Sequence, residues 1–251
     1  MRELGRRANG RAESSGNASD SLFAGVGEIC EAAMRRAGAD GAALAVLSRS
    51  TLSRELIYAT DLLAQQLDEL QYTIGEGPCF DAYLDDRPQF HPELTNIAQT
   101  SRWPTFAADA TELGAHALFA FPVPDGQHPL GVLELYRRSV GSLDAAECAA
   151  VVTYTAMIAK RLLSNWEYHV VRFGGVEQAL DAAATTGVAP GDSANPYTRT
   201  QIHVAGGMLA IQLDINADEG VDRLRAYSYA SGRRLSAVAA DIIARRLTLH
   251  A

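Results

Sequence analysis

The sequence predicts an α+β domain, with an antiparallel sheet flanked by helices, followed by an all-α bundle of three short helices. Three observations predict it. First, up to Arg137 the runs come in the order helix, two strands, helices, strands, which suits antiparallel strands with helices packed on their faces. Second, the stretch GVAPGDSANP at 187–196 is rich in Gly, Pro, Ser and Asn and reads as a linker. Third, three helix-period segments follow it, each too short to be stable alone and so expected to pack together.

Taken in order, residues 1–17 are polar, Gly-rich and aperiodic, the pattern of a disordered tail. From Asp20, the residues Leu22, Val26, Ile29, Cys30 and Ala33 share one helical face, and the helix is expected to end near Gly38. GAALAVLS (41–48) and RELIYAT (54–60) read as a β-hairpin. DLLAQQLDEL (61–70) reads as a helix, and the loop Gly75-Glu76-Gly77-Pro78 leads to another around Phe80–Leu84. RPQFHPEL carries the prolines of an edge strand. RWPTFAADATELG (102–114) has Pro in its first turn and Gly at its end, both helix signals. HALFAFPV and GVLELYR are two strands around the turn PDGQ. From Leu143 a helical pattern runs without a breaker to Gly174-Gly175, and VEQALDAAATT then resumes it. Such a length exceeds what one small domain needs and suggests a connecting or dimerising helix.

In the last part, Ile202, Ala205 and Leu209 form one stripe. Asn216-x-x-Glu219 predicts a capping box for the second helix, whose stop is Gly232. Ser236 is expected to cap the third, with Val238, Ala239, Ile242 and Leu247 inward. The expected divisions are a domain at 18–163, a helical connector and linker at 164–197, and the bundle at 198–251.

Charge divides the chain the same way. Residues 1–17 carry +2, residues 18–197 carry −12 and residues 198–251 carry +2, within a net charge of −8. Four arginines lie between Arg223 and Leu235, so a polyanionic partner for this segment is consistent with its local charge. From charge alone, a solvated Arg-rich helical surface is the simpler reading. All the basic residues but Lys160 are Arg, which suits bidentate phosphate contacts and also suits a coding bias. Cys30, Cys79 and Cys148 are widely spaced with no CxxC, which points to a reducing cytoplasm and to neither a disulfide framework nor a zinc site. No secretory signal and no apolar run of ~18 residues occurs, so no membrane association is expected.

The segment IHVAGGMLAIQLDINADEGVDRLRAYSYASGRRLSAVAADIIARRL resembles the ANTAR domain, a three-helix RNA-binding module of transcription antitermination regulators. The first-helix pattern falls on Ile202, Ala205, Gly206, Gly207, Met208 and Leu209. The acidic start of the second helix and its leucine–arginine pair fall on Asp218-Glu219 and Leu224-Arg225. The start of the third falls on Arg233, Leu235, Val238 and Ala239. Gly206 stands where many members carry Lys or Thr, and Gly220 where Ala is usual. Gly lies about 1 kcal/mol below Ala in helix propensity, so a looser bundle is expected, and position 206 offers no cationic side chain to a phosphate. The resemblance implies an RNA-binding set of Ala205, Gly206, Gly207, Met208, Arg225, Tyr229, Arg233 and Arg234.

Upstream, YTIGEGPCFDAY, RWPTFAADATELG and LGVLELYRR resemble the GAF sensor domains that precede ANTAR in many bacterial regulators, over roughly 20–163. The resemblance implies a small-molecule pocket lined by Gly77, Cys79 and Trp103. The whole then implies a dimeric, cytoplasmic regulator that binds hairpins in nascent mRNA under control of its GAF domain.

Other readings of these residues remain open. Tyr227 and Tyr229 suit stacking on splayed RNA bases and equally suit partial core packing. Arg245 and Arg246 suit the C-terminal turn of a helix, and Arg223 suits an ion pair with Glu219. The Gly75–Pro78 loop lacks the GKS/T of a P-loop, so it either covers a pocket or positions the following helix. Cys79 is either a small buried residue or a nucleophile of the kind found in GAF methionine sulfoxide reductases, which need companion cysteines nearby. The six histidines form no HxxxH or HExxH spacing, so no metal, no cofactor and no enzymatic activity are expected. A DNA-binding regulator, with Arg233 and Arg234 opening a recognition helix, is the main alternative to RNA.

Overall fold

The computed structural model of the chain describes residues 22–47, 54–126, 128–176, 178–179 and 200–249. The expected tail at 1–17, the linker at 187–196 and almost all of the resumed helical pattern after Gly175 lie outside the described residues.

The first unit holds α1 (Val26–Arg36), β1 (Gly41–Leu47), β2 (Arg54–Ala59), α2 (Leu62–Ile74), α3 (Pro78–Asp85), β3 (Gln89–His91), α4 (Ile97–Thr100), α5 (Pro104–Leu113), β4 (Ala117–Val123), β5 (Gly131–Arg137) and α6 (Ala145–Phe173). Its five strands form one sheet in the order β2-β1-β5-β4-β3, with every pairing antiparallel. The proline-flanked strand β3 is at an edge, as its composition requires. Helix α1 starts at Val26, later than the sequence pattern suggests, because Gly25 adopts a left-handed conformation (φ 75°) that interrupts the helix.

Alternation along the central strands sorts side chains to two faces. Leu44, Phe119, Phe121, Leu133 and Leu135 pack with Cys30 of α1 and with Val151 and Ile158 of α6. On the opposite face, Ala43, Leu118 and Tyr136 pack with α2 and α5, and Ala45, Ala120 and Val132 pack with α3. Helix α6 is 29 residues long, opens on an Asp144–Glu147 capping box and stops at Gly174 (φ 80°), the breaker legible in the sequence.

The second unit is α7 (Thr200–Leu213), α8 (Ala217–Ser231) and α9 (Leu235–Ile243). The Asn216–Glu219 capping box forms in both directions, and Gly232 caps α8 at φ 61°. The expectation for Ser236 is corrected. The N-cap of α9 is Arg234, with no side-chain cap, and Ser236 already lies inside the first turn. The backbone N–H of Arg233 donates to the Ser228 carbonyl, closing α8 so tightly that the next helix begins three residues after Gly232.

The two unexpected glycines are also corrected. A Cβ on Gly220 would stand 2.2 Å from the Gly206 carbonyl oxygen, and one on Gly206 would stand 2.6 Å from Val221 Cγ2. They sit where α7 crosses α8, and they let the two backbones approach instead of loosening the bundle.

Candidate functional site

Helix α8 carries Arg225 and Tyr229 four residues apart, hence on one face. The turn that follows carries Arg233 and Arg234. Tyr229 is exposed across nearly half its surface, and Arg234 is exposed. Arg233 Nη2 lies 2.5 Å from Asp241 Oδ2, and Arg246 Nη2 lies 2.7 Å from Asp241 Oδ1. The hydrogen bonds from Arg233 and Arg246 hold the Asp241 carboxyl below its usual range. One acidic group thus orients two arginines, while Arg234 projects independently from the α9 cap. Arg246 gains an ion pair in place of a helix-end role alone. Glu219 is committed to the Asn216 N–H in the capping box rather than to the expected pair with Arg223.

The remaining residues of the expected RNA set divide by burial. Ala205 and Gly206 are buried inside the helix crossing and present no surface. Gly207 has open space around its Cβ position, and Met208 is half-buried against the bundle core. The members left at least partly at the surface are Gly207, Met208, Arg225, Tyr229, Arg233 and Arg234.

Sequence reasoning missed Tyr72, at the end of the first unit's α2. Its ring is buried among Ile202, Leu224 and Leu235, in the core of the second unit. The Arg225 guanidinium lies 4.6 Å from its centroid, close enough for a cation–π contact. Arg225 Nη1 also pairs with Asp222 at 3.1 Å. A cleft of about 870 Å³ adjoins this contact, between α2 and α5 on one side and α8 and the start of α9 on the other. Periodicity places Tyr72 on a helix face, but no sequence signal says that the face meets a second unit.

Gly77, Cys79 and Trp103 come together differently from a ligand-lined cavity. Gly75 caps α2 at φ 82°, and Pro78 opens α3. A Cβ on Gly77 would lie 2.5 Å from Gln71 Oε1, and the Cys79 backbone N–H donates to that same oxygen at 2.9 Å. The loop thus closes over Gln71. Gln71 Nε2 in turn donates to Glu134 of β5, at 2.7 and 3.0 Å. Beside it, Arg54 Nη2 of β2 pairs with Asp68 Oδ1 of α2 at 2.7 Å, both side chains almost wholly buried. Cys79 is fully buried. Trp103 is buried edge-on against Phe106 and His91, with its Nε1 donating to Asp81 at 3.2 Å.

Burial pushes the Glu134 carboxyl up to about 7, against the pull of Arg54 and the Gln71 hydrogen bond. The folded protein keeps this proton at pH values where the unfolded chain, near the ordinary 4.5, has released it. The stability it contributes is full below about 4.5 and is lost as pH rises through about 7. Glu134→Gln is expected to flatten this dependence. The difference in urea midpoint between parent and variant should change between pH 4.5 and pH 8, and a constant difference would refute the assignment.

Among the described residues, no group of His, Cys, Asp and Glu is arranged to hold a metal ion. No described helix is long and apolar enough to cross a membrane. No match was found among curated proteins. Several solved structures resemble the first unit. One is the GAF domain region of a putative membrane protein from Geobacter sulfurreducens PCA, at 14% identity and TM-score 0.47, covering 59% of this chain and 97% of that one. Another is the domain of a putative two-component sensor histidine kinase protein from Sinorhizobium meliloti 1021, at 13% identity and TM-score 0.46, covering 58% and 92%. A third is a type II free methionine-R-sulfoxide reductase from Thermoplasma acidophilum, at 12% identity and TM-score 0.42, covering 59% and 96%. The GAF domain family model matches residues 26–160, which hold the whole sheet, and the ANTAR domain model matches residues 195–243, which hold α7 to α9. The chain belongs to the GAF–ANTAR regulators, a GAF domain followed by an ANTAR domain.

Proposed function

We propose that this chain is a cytoplasmic, dimeric transcription antitermination regulator that binds hairpins in nascent mRNA and responds to a signal at its GAF domain. The observation that carries the RNA reading is the face formed by Arg225, Tyr229, Arg233 and Arg234 on an otherwise acidic protein. Arginine forks bind phosphate, and the exposed Tyr229 ring offers a stacking surface for an unpaired base. Such stacking has no use on an intact DNA duplex, which favours RNA over the helix-turn-helix alternative. Salt dependence tests the reading directly. Arg233→Ala with Arg234→Ala is expected to lower the salt slope of hairpin RNA binding by roughly 1.4, from about 0.7 for each phosphate no longer neutralised on a single strand. An unchanged slope in filter binding removes both residues from the interface. Stronger competition by duplex DNA than by hairpin RNA would favour the DNA reading.

A dimer is supported by α6, whose surface exposes Val152, Met157, Leu163, Tyr168, Val171 and Phe173. Pairing two such helices would bury part of this apolar surface and bring two RNA sites together, raising effective concentration. Light scattering at micromolar concentration is expected to give twice the chain mass, and a monomer mass would contradict it.

A regulator rather than a reductase is supported by where the cysteines lie. Cys79 packs on one face of the sheet, whereas Cys30 packs on the other and Cys148 lies on α6, which covers that other face. Disulfide exchange needs Cα atoms within about 7 Å, and the sheet intervenes. Burial raises the Cys30 thiol to about 12, far from a reactive thiolate. A small molecule acting through Gly77, Cys79 and Trp103 would have to displace the packed side chains there, so sensing at that position would couple to repacking of α3 and α5.

A further inference from the structure

The cleft between the GAF and ANTAR domains has walls of opposite charge. Glu69 of α2 and Asp109 and Glu112 of α5 line one side; Tyr229, Arg233 and Arg234 line the other. Asp109 faces the Tyr229 hydroxyl; loss of solvent around the phenol, and then the negative charge and hydrogen bond of Asp109, raise its pKa. At the edge of the cleft Tyr72 plugs into the ANTAR core beneath Arg225. Arg225, Tyr229, Arg233 and Arg234 thus all lie at this contact.

We propose that the acidic face of α2 and α5 is a docking surface for the ANTAR domain of the same chain, and that it competes with RNA for that domain. The proposal rests on the RNA-binding reading above and adds the regulation of that site. Two features of the contact support competition. The Tyr72 ring covers one face of the Arg225 guanidinium and Asp222 pairs with its Nη1, so less of this arginine is left for RNA while the domains are docked. The carboxylates of Glu69, Asp109 and Glu112 put negative charge opposite Arg233 and Arg234, where a phosphate backbone would otherwise run. RNA phosphates entering the docked cleft would meet these acids, so binding requires the ANTAR domain to leave. Any signal that favours the undocked arrangement then raises RNA affinity through its differential affinity for the two states.

The test uses the full chain and a synthetic RNA of two tandem hairpins. Tyr72→Ala removes the plug without changing any charge, so a gain in affinity cannot come from weaker repulsion. Asp109→Ala with Glu112→Ala on the surface of α5 is a second, independent variant. Amide hydrogen exchange along α2 and α8 reads docking, and filter binding reads affinity. Expected are faster exchange on both helices and RNA binding tighter by 5- to 150-fold in each variant, the range typical of coupled sites. Faster exchange with measurable but unchanged RNA affinity would overturn the competition. Unchanged exchange would overturn the docking itself. Faster exchange with no RNA binding by parent or variants would remove the RNA reading, and the competition with it, while leaving the domain contact intact.

Discussion

Asp68→Ala is expected to destabilise the GAF domain by about 3–5 kcal/mol, the usual cost of leaving one member of a buried ion pair alone. Both side chains of the Arg54–Asp68 pair are nearly inaccessible, and the guanidinium stays charged at any pH the fold survives. Arg54 is fixed by β2 and cannot reach water without unpairing that edge strand from β1. Glu134 softens the loss. Asp68 helps to keep it protonated, so removing Asp68 lets Arg54 draw Glu134 toward its charged form. The penalty should therefore be larger at pH 5 than at pH 8. Arg54→Met combined with Asp68→Ala is expected to recover part of the loss, because the stranded cation is gone. Urea denaturation followed by near-ultraviolet circular dichroism checks both. A single variant within about 1 kcal/mol of the parent would mean that the pair is dispensable.

That ion pair marks the limit of what the sequence could reveal. Local rules were sufficient for the elements. Alternation gave the strands, Gly174 and Gly232 marked helix ends, and Asn216-x-x-Glu219 formed its capping box. Each depends on neighbours within a few residues. Arg54 is different: in RELIYAT it reads as the polar partner of an alternating strand, yet it points inward because Asp68, fourteen positions later, returns on α2. Tyr72 is harder still, since its partner Arg225 is separated from it by most of the chain. The basic face was legible because its residues are close in sequence. Its pairing with Asp241 and its position against α5 were not, because both depend on tertiary placement. Family resemblance pointed to Ala205 and Gly206 as contacts, while burial inside the bundle withdraws them from the surface.

The two neighbouring glycine environments of the ANTAR bundle make the final prediction, in which propensity and packing oppose each other. Helix propensity alone favours replacing either Gly207 or Gly220, because Gly is about 1 kcal/mol worse than Ala inside a helix. At Gly207 nothing lies within 4 Å of an added Cβ. Gly207→Ala is therefore expected to stabilise the bundle by up to about 1 kcal/mol. At Gly220 the added atom would meet the Gly206 carbonyl oxygen at 2.2 Å and the Ala210 nitrogen at 3.2 Å. Both are backbone atoms of the facing helix, so no side-chain rotation relieves the contact and α7 must move away from α8. Gly220→Val adds two methyl groups to that contact and is expected to cost about 3 kcal/mol, the upper part of the usual overpacking range. A loss of about 3 kcal/mol from the roughly 3–7 kcal/mol of a bundle this size should raise the open population of α7 to α9 by more than about a hundredfold while the GAF sheet stays folded. Hydrogen exchange reads the two domains separately. Protection should fall across 200–249 in Gly220→Val and rise slightly in Gly207→Ala, with the strands of the GAF domain unchanged in both. Equal protection in the two variants would mean that the helices do not cross at Gly206 and Gly220.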